Sequence, residues 1–178
     1  GLSGGDGGGR PGHCWTGGEP VVTFASMNLT DYTTEAAFLP HLKCADLTGA
    51  VRELVGTLAA DGVTGDPEQL VDDILRRERE GSTAVGGGLV IPHARSSAVT
   101  RVRLAVATLA EPLAVGAADG RPADVVLLLV GPMGDPRLML RVLARMARLV
   151  RQRTLLDDLR AAADADSLRH ALAGADQA

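Results

Sequence analysis

Residues 77–95 read REREGSTAVGGGLVIPHAR, and the pattern of the chain changes inside this stretch. A charged helix end gives way to three consecutive glycines and then to the apolar run LVIP at 89–92. A short, β-branched run bounded by glycine and proline predicts a strand that is buried on both faces. His93 follows this predicted strand directly, and the loops after strands carry chemistry in α/β folds. His93 is therefore the first candidate for a functional residue.

The neighbours of His93 favour the approach of a charged group. Pro92 keeps its predecessor extended and limits the motion of the turn, which fixes the direction of the histidine. Gly86, Gly87 and Gly88 remove side chains nearby, so that a partner or an anion can approach the backbone N–H groups. Three arginines of the same stretch add positive charge: Arg77, Arg79 and Arg95.

This combination suits the transfer of a phosphoryl group to a histidine. Phosphoryl transfer needs an in-line nucleophile, with positive charge or N–H donors around the equatorial oxygens. A neutral imidazole is a nucleophile at about pH 7 when its other nitrogen is held by a hydrogen bond. A single histidine beside glycines is more often structural, however, so the spacing alone leaves a packing role for His93 open.

Two helices are predicted upstream of this stretch. Residues 46–60 place apolar side chains at helical spacing, with Asp61 and Gly62 available to end the helix. Asp66 caps the start of the second helix, Pro67 suits its first turn, and its apolar stripe runs up to the charged end RRERE.

Strands and further helices are predicted downstream. Residues 102–110 (VRLAVATLA) and 123–131 (ADVVLLLVG) have the pattern of buried strands. A third helix is predicted from 135 to about 151, and shorter helical stretches follow from Thr154 and Asp166. The order helix, helix, strands, helix, helix predicts an α/β sandwich, in which a mixed β-sheet is flanked by helices, because elements that are apolar on one side must cover each other.

The composition is that of an aliphatic globular protein. Of 178 residues, 46% are hydrophobic and only 2% are aromatic, so the core must be built from Leu, Val, Ile and Ala. The 18 Lys and Arg against 22 Asp and Glu give a formal charge of −4, which argues against a nucleic-acid binder. The longest apolar runs are far shorter than the roughly 20 residues that span a bilayer, so no membrane insertion is expected. Because Cys14 and Cys44 cannot build a disulfide framework, a reduced, cytoplasmic protein is the simpler interpretation.

The beginning of the chain differs from the rest. Nine of the first 18 residues are glycine, which gives too much backbone freedom and too little to bury for a packed element. We expect residues 1–25 to form a flexible tail or linker and residues 26–178 to form one domain. Since the chain begins with Gly1 rather than Met, it can be a fragment or a processed product, and a lost targeting segment stays open.

The stretch 77–95 resembles the active-site signature of enzyme IIA domains of the fructose/mannitol class, including the nitrogen-regulatory branch, in the phosphoenolpyruvate-dependent sugar phosphotransferase system. The resemblance also covers the order of elements from about residue 28 to the last helix. The residues that match this signature in register are Arg77, Glu78, Ser82, Thr83, Gly86, Gly88, Leu89, Ile91, Pro92 and His93.

The resemblance implies a phosphocarrier, and no cofactor or metal is expected. His93 would accept a phosphoryl group from the phosphohistidine of the carrier HPr. It would then pass the group to a histidine or cysteine of an enzyme IIB domain, or signal by its phosphorylation state. Arg77 would act with it as a catalytic residue that neutralises phosphoryl charge. Gly86, Gly88 and Arg95 are the candidates for phosphate or partner binding.

The sequence also departs from the family pattern. Ala84, Val90 and Ala94 stand where the family usually has Gly, Ala and Gly. Family members often carry a second histidine at the start of the third helix, and Met139 stands there; a thioether cannot donate a hydrogen bond to phosphate. The alternative function is therefore a non-catalytic regulatory interaction module that keeps the enzyme IIA fold and binds target proteins. The sugar, if any, and the oligomeric state stay open.

Other residues have simpler explanations. Glu78 is explained by the structure of the helix end, and Met139 and Met146 by packing in the core or at its rim. Four arginines at helical spacing predict a solvated stripe on the third helix, with docking to an acidic partner as the alternative. They are Arg137, Arg141, Arg145 and Arg148.

A metal site is the weakest hypothesis. His13, Cys14, His41 and Cys44 are of metal-ligand types, but their pairs do not repeat with zinc-finger spacing. The sequence contains no nucleophile-elbow, Walker or dinucleotide-binding motif.

Overall fold

A six-stranded mixed β-sheet lies between two layers of helices in the computed structural model, which describes residues 27–178. This architecture confirms the predicted α/β sandwich. The predicted tail at 1–25 lies outside the described residues, so the domain boundary at residue 26 stays a prediction. In the described part of the chain, no helix is long and apolar enough to cross a membrane.

Helix α1 spans Leu47–Ala60 and helix α2 spans Pro67–Glu80, as the apolar spacing predicts. Asp46 caps α1 by accepting a hydrogen bond from the backbone N–H three residues on, at 2.8 Å. Asp66 caps α2 in the same way at 3.1 Å. Each carboxylate thereby satisfies an N–H group that has no partner within the first helical turn.

The six strands are β1 (Phe38–Leu42), β2 (Ala84–Gly86), β3 (Leu89–Val90), β4 (His93–Ser96), β5 (Arg103–Leu113) and β6 (Ala123–Pro132). Five of them follow the order β1-β5-β6-β3-β2, and β4 also pairs with β6. The long strands β5 and β6 are antiparallel to each other, while β3 and β4 run parallel to β6. At one edge β1 is parallel to β5, and at the other β2 is antiparallel to β3.

The strand predicted for 89–92 is confirmed only at Leu89–Val90, where β3 ends, and a separate strand, β4, begins at His93. Pro92 lies between the two strands, where its missing N–H removes one possible ladder bond. Its carbonyl still accepts a hydrogen bond from the N–H of Leu129 at 3.0 Å, so both strands stay beside β6. His93 is consequently the first residue of a paired strand rather than part of a loop.

The sequence pattern does not predict β1, because Pro40 interrupts it. A proline is tolerated there since β1 is an edge strand. The strand is also irregular: the pairing register shifts between Leu39 and Leu42. His41 has a φ of 50°, and its N–H donates to Thr108 Oγ1 at 2.9 Å. A run so short and irregular carries no clear alternation.

Helices α3 (Pro136–Leu149), α4 (Arg153–Ala161) and α5 (Ala165–Asp176) cover the other face of the sheet. Their positions confirm the helices predicted after residue 135. Asp135 caps α3 with a hydrogen bond from a backbone N–H at 3.4 Å.

The solvated arginine stripe predicted for α3 is wrong at Arg145. This side chain is buried, and its Nη2 donates to the carbonyl oxygen of Asp176 in α5 at 3.3 Å. The carboxylate of Asp176 in turn accepts a hydrogen bond from the N–H of Leu29 at 2.7 Å. Arg137 and Arg148 are exposed, as predicted. Helical spacing identifies the residues on one face of α3, but it does not show that the end of α5 packs against Arg145.

Apolar side chains fill two cores, one on each face of the sheet. Along β6, the odd-numbered residues from 125 to 129 pack with α3, α4 and α5, and the even-numbered ones from 126 to 130 pack with α1 and α2. Each fully buried Val or Leu contributes about 1.5–3 kcal/mol relative to an exposed one. Because both faces are covered, the strand has a continuous apolar sequence instead of an alternating one.

Candidate functional site

His93 lines an open cavity of about 420 Å³ where α2, β4 and the first half of α3 meet. Pairing with β6 fixes the backbone at the start of β4, and α2 and α3 supply the walls. The lining side chains include carboxylates, arginines and apolar groups. They are Asp73, Arg76, Arg77, Glu80, His93, Ala94, Arg95, Met133, Pro136, Met139, Leu140 and Leu143.

The imidazole of His93 is held by one hydrogen bond. Its Nδ1 lies 2.8 Å from the carbonyl oxygen of Ile91. A carbonyl oxygen only accepts, so Nδ1 carries the proton and donates it, and Nε2 of the neutral ring keeps its lone pair. The side chain is partly exposed. The geometry is therefore that of a nitrogen nucleophile held in one tautomer beside an open cavity.

The structure brings Arg77 and Arg95 into the same cavity as His93. Arg77 donates from Nη1 to the carbonyl of Gly81 at 3.0 Å, which holds the guanidinium at the end of α2. Arg95 donates from Nη1 to the carbonyl of Met133 at 3.5 Å. A guanidinium carries several N–H donors in a planar fork, so each of these side chains keeps donors for an anion in the cavity.

A third arginine of the cavity, Arg76, pairs with the carboxylate of Asp73. Asp73 is only 7% exposed, and it also accepts a hydrogen bond from Ser96 Oγ at 2.6 Å. Because Asp73 belongs to α2 and Ser96 to β4, the carboxylate ties the helix that carries Arg77 to the strand that begins with the histidine. Hydrogen bonds to charged groups contribute about 1.5–3 kcal/mol each. Arg79 is exposed and is not among the residues that line the cavity.

Apolar side chains border the cavity on the side of α3. Leu140 is 66% exposed and Met133 is 54% exposed. Large apolar side chains exposed around a polar centre are typical of protein–protein contact surfaces. Met139 also lines the cavity but is only 6% exposed, and Met146 is fully buried, so the predicted core packing of both methionines is confirmed.

The Glu78 side chain stabilises the end of α2, as predicted. Its carboxylate accepts hydrogen bonds from Thr83 N at 3.0 Å and from Thr83 Oγ1 at 2.6 Å. Ser82 Oγ donates to the carbonyl of Val115 at 3.0 Å. These bonds close the connection between α2 and β2, and they hold the helix end on which Arg77 is located.

Gly86 and Gly88 are not among the residues that line the cavity of His93. With Gly87 between them, they form the tight connection from β2 to β3 at φ values of +85°, +65° and +83°, a conformation that favours glycine. A Cβ at Gly88 would lie 2.6 Å from Asp124 Oδ1, so there is no room for a side chain. The backbone conformation explains these glycines, and their role in phosphate or partner binding stays a prediction.

Sequence reasoning did not assign Asp73, Arg76, Met133 and Leu140 to the cavity, nor Glu80, Pro136 and Leu143. A signal existed on α2, where Asp73 and Arg77 are four residues apart and therefore share a face. No such signal existed for Met133 and Leu140, because periodicity shows which residues are apolar and not which of them the fold leaves exposed.

Within residues 27–178, no group of three or more His, Cys, Asp or Glu side chains could hold a metal ion. Burial raises the pKa of the Cys44 thiol, and the charges of Asp46 and Glu53 raise it further, which disfavours the thiolate that binds metals. Since His13 and Cys14 lie outside the described residues, the metal hypothesis stays untested.

The fold and the cavity of His93 define a small α/β protein with a histidine and several arginines at a surface cavity, and comparisons with known proteins identify its family. Residues 32–174 match the family model described as "Phosphoenolpyruvate-dependent sugar phosphotransferase system, EIIA 2". The chain belongs to this family of phosphocarrier domains, which includes a nitrogen-regulatory branch.

Two curated relatives represent the two branches. A nitrogen regulatory protein of Bradyrhizobium diazoefficiens is 37% identical over 148 residues, which cover 83% of this chain and 95% of that protein. The 2-O-alpha-mannosyl-D-glycerate-specific EIIABC component of Escherichia coli is 39% identical over 110 residues, which cover 61% of this chain and 17% of that longer protein.

Solved structures show the same fold. The nitrogen regulatory protein IIA-Ntr from Neisseria meningitidis superposes with a TM-score of 0.74 at 22% identity, covering 80% of this chain and 97% of that one. IIA mannitol from Escherichia coli superposes with a TM-score of 0.66 at 18% identity, covering 78% of this chain and 97% of that one. At these identities the likeness establishes the architecture, and the site has to be argued from its own residues.

Proposed function

We propose that this protein is a cytoplasmic phosphocarrier in which Nε2 of His93 accepts a phosphoryl group from phospho-HPr. The group then passes to an enzyme IIB domain, or its presence on the histidine serves as a signal. The observation that carries the proposal is the 2.8 Å hydrogen bond from His93 Nδ1 to the Ile91 carbonyl. It leaves the lone pair on the other nitrogen, in a cavity that two arginines line with N–H donors.

The chemistry requires only one bond to form and one to break. The Nε2 lone pair attacks phosphorus in line, while the bond between phosphorus and the donor histidine breaks and its electron pair returns to the donor nitrogen. The proton on Nδ1 stays in the hydrogen bond to Ile91. Arg77 and Arg95 offset the negative charge on the phosphoryl oxygens, which is the main contribution that a protein makes to such a transfer. The reverse steps hand the group to the acceptor.

Partner proteins have a surface to bind around the cavity. The exposed Leu140 and Met133 supply apolar contact area beside the reacting nitrogen. One solved relative is a complex of enzyme IIA mannitol with phosphorylated enzyme IIB mannitol from Escherichia coli. We propose that partners of this protein dock on the same apolar border, and that Gly86 and Gly88 contribute only by shaping the chain before β3.

The test is phosphorylation by a reconstituted relay. Incubation with phosphoenolpyruvate, enzyme I and HPr should give one acid-labile phosphate on the wild-type protein and none on His93→Ala. His170→Ala is the matched control, because that histidine is 67% exposed on α5 and should not affect the label. A phosphate that persists in His93→Ala and disappears in His170→Ala would show that the site is misassigned.

A second candidate function rests on Met139. At the position where the family often has a second histidine, the cavity has a buried thioether that offers no hydrogen-bond donor to a phosphohistidine. This favours a regulatory interaction module that binds target proteins by its surface, in keeping with the relatives named nitrogen regulatory protein. The wild-type protein would then bind a target with equal affinity before and after incubation with the relay, and no phosphate would be found on it.

A further inference from the structure

A second cavity, of about 720 Å³, lies at the opposite end of α3 from the cavity of His93. It is open to solvent and bordered by the connection between β2 and β3, the end of α3 and the side of α4. Its volume is within the range of about 300–1,000 Å³ that is typical of small-molecule sites. No described residue lines both cavities. The apolar part of its wall is formed by Val85, Leu89, Ile91, Ala147, Val150 and Leu156.

Three arginines and one carboxylate complete the wall: Arg121, Arg151, Arg160 and Asp157. Arg160 is already neutralised within the protein. Its Nε and Nη2 donate to the two carboxylate oxygens of Asp124 at 2.9 Å and 3.0 Å, and Nη2 also bonds to the Gly87 carbonyl. Asp157 lies 3.6 Å from the same guanidinium. The internal ion pairs of the cavity therefore involve Arg160 and not the other two arginines.

Arg121 and Arg151 retain their side-chain donors. Among residues 27–178, whose contacts the structure describes, neither guanidinium donates a hydrogen bond to a protein acceptor. Asp119 is close enough for the charge of Arg121 to act on it, but its oxygens already accept backbone N–H groups, from Gly87 at 2.8 Å and from Arg121 at 3.0 Å. The side-chain donors that remain in this cavity are thus cationic and lie beside an apolar wall, and the one lining carboxylate, Asp157, is paired with Arg160.

We infer that this cavity binds a small organic anion with an apolar body. The anionic head group bonds to Arg121 and Arg151, and the body packs on Val85, Val150 and Leu156, which are exposed or partly exposed. An inorganic anion alone would leave this apolar wall wet, while an uncharged apolar ligand would make no use of the two guanidinium groups. The inference does not depend on phosphorylation of His93, because the two cavities have separate walls.

The probe for the test is 1-anilinonaphthalene-8-sulfonate, which combines a sulfonate with an aromatic body. It is titrated into ¹⁵N-labelled protein, and the amide resonances of Gly86, Gly87, Leu156 and Asp157 should shift together and saturate at one equivalent. The double substitution Arg121→Ser with Arg151→Ser should weaken binding at least about tenfold, the effect of losing one charge-assisted hydrogen bond or more.

Matched controls keep the inference falsifiable. Arg137→Ser with Arg148→Ser removes the same charge from exposed positions of α3 outside the cavity and should leave the affinity unchanged. Ala147→Trp should abolish binding by filling the cavity from α3, whatever the arginine substitutions do to the fold. The inference is overturned if the shifts fall only around Leu140, if Ala147→Trp binds as well as wild type, or if inorganic phosphate binds as tightly as the probe.

Discussion

Residues of the stretch 77–95 line two different cavities, the cavity of His93 and the cavity that contains Arg121 and Arg151. The properties required of the residues differ between the two. In the cavity of His93 the side chains matter, because a ring nitrogen and guanidinium groups line an open surface cavity. At the connection between β2 and β3 the backbone matters, because Gly86, Gly87 and Gly88 have φ values that other residues rarely adopt. Residues adjacent in sequence therefore do not share one site. Within this stretch, Arg77, His93 and Arg95 contribute chemical groups, while residues 86–88 contribute a backbone conformation.

The largest effect is expected from Gly88→Ala, which should lower the free energy of unfolding. The positive φ costs about 1–2 kcal/mol, and the Cβ would press on Asp124 Oδ1 and on the Arg160 guanidinium, so we expect a loss of about 3 kcal/mol of unfolding free energy. Denaturant unfolding measures this loss. The matched control is Gly56→Ala in the exposed part of α1, where a Cβ meets nothing within 4 Å, and it should add about 0.5–1 kcal/mol. Equal effects of the two substitutions would remove the conformational explanation of Gly88.

Arg77→Gln should have the opposite profile. The side chain is partly exposed and its Gly81 bond is at the surface, so the free energy of unfolding should change by less than about 0.5 kcal/mol. Loss of its charge beside the phosphoryl group should slow phosphorylation of His93 by about 100-fold. Stopped reactions with phospho-HPr give the rate, and Arg79→Gln on the exposed face of α2 is the control. An unchanged rate in Arg77→Gln would leave Arg95 and Arg76 as the cations of the site.

The smallest expected effect is a pH dependence of the connection between β2 and β3, where Asp119 accepts a hydrogen bond from the N–H of Gly87. Hydrogen bonds from the backbone N–H of Gly87 and then of Arg121 lower the pKa of Asp119. A lowered pKa means that the carboxylate stabilises the folded connection above the unfolded value of about 3.9, and that this contribution is lost as the pH falls through the lower folded value. The amide shift of Gly87 should therefore titrate below about pH 4. Asp119→Asn should abolish this titration, and a Gly87 shift that still titrates in Asp119→Asn would contradict the assignment.

Much of the fold could be predicted from local patterns. The helices α1 and α2 follow from their caps, Asp46 and Asp66, and from the helical spacing of the apolar residues after each cap. The central strand follows from the continuous apolar run 123–131. The irregular strand at 38–42 could not be predicted, because a short edge strand with a proline carries no clear alternation. The burial of Arg145 could not be predicted either, because its hydrogen-bond acceptor, the carbonyl oxygen of Asp176, is 31 positions away in the sequence.

The site was predictable only in part for the same reason. The sequence places His93, Arg77 and Arg95 close together along the chain, and the structure brings them to one cavity. The sequence does not show that the intervening glycines turn toward a different cavity. The direction of the chain after Gly86 depends on successive positive φ angles and on packing against Asp124 and Arg160. Nor does the sequence show that Ser96 and Asp73 connect β4 to α2.

Ile91 connects the two cavities, although it lines only one of them. Its side chain lines the one that contains Arg121 and Arg151, and its carbonyl oxygen accepts the proton of His93 Nδ1. The side chain and the carbonyl of one residue thus serve different compartments. Any displacement of the main chain at Ile91, caused from either compartment, moves the oxygen that decides where the imidazole proton resides.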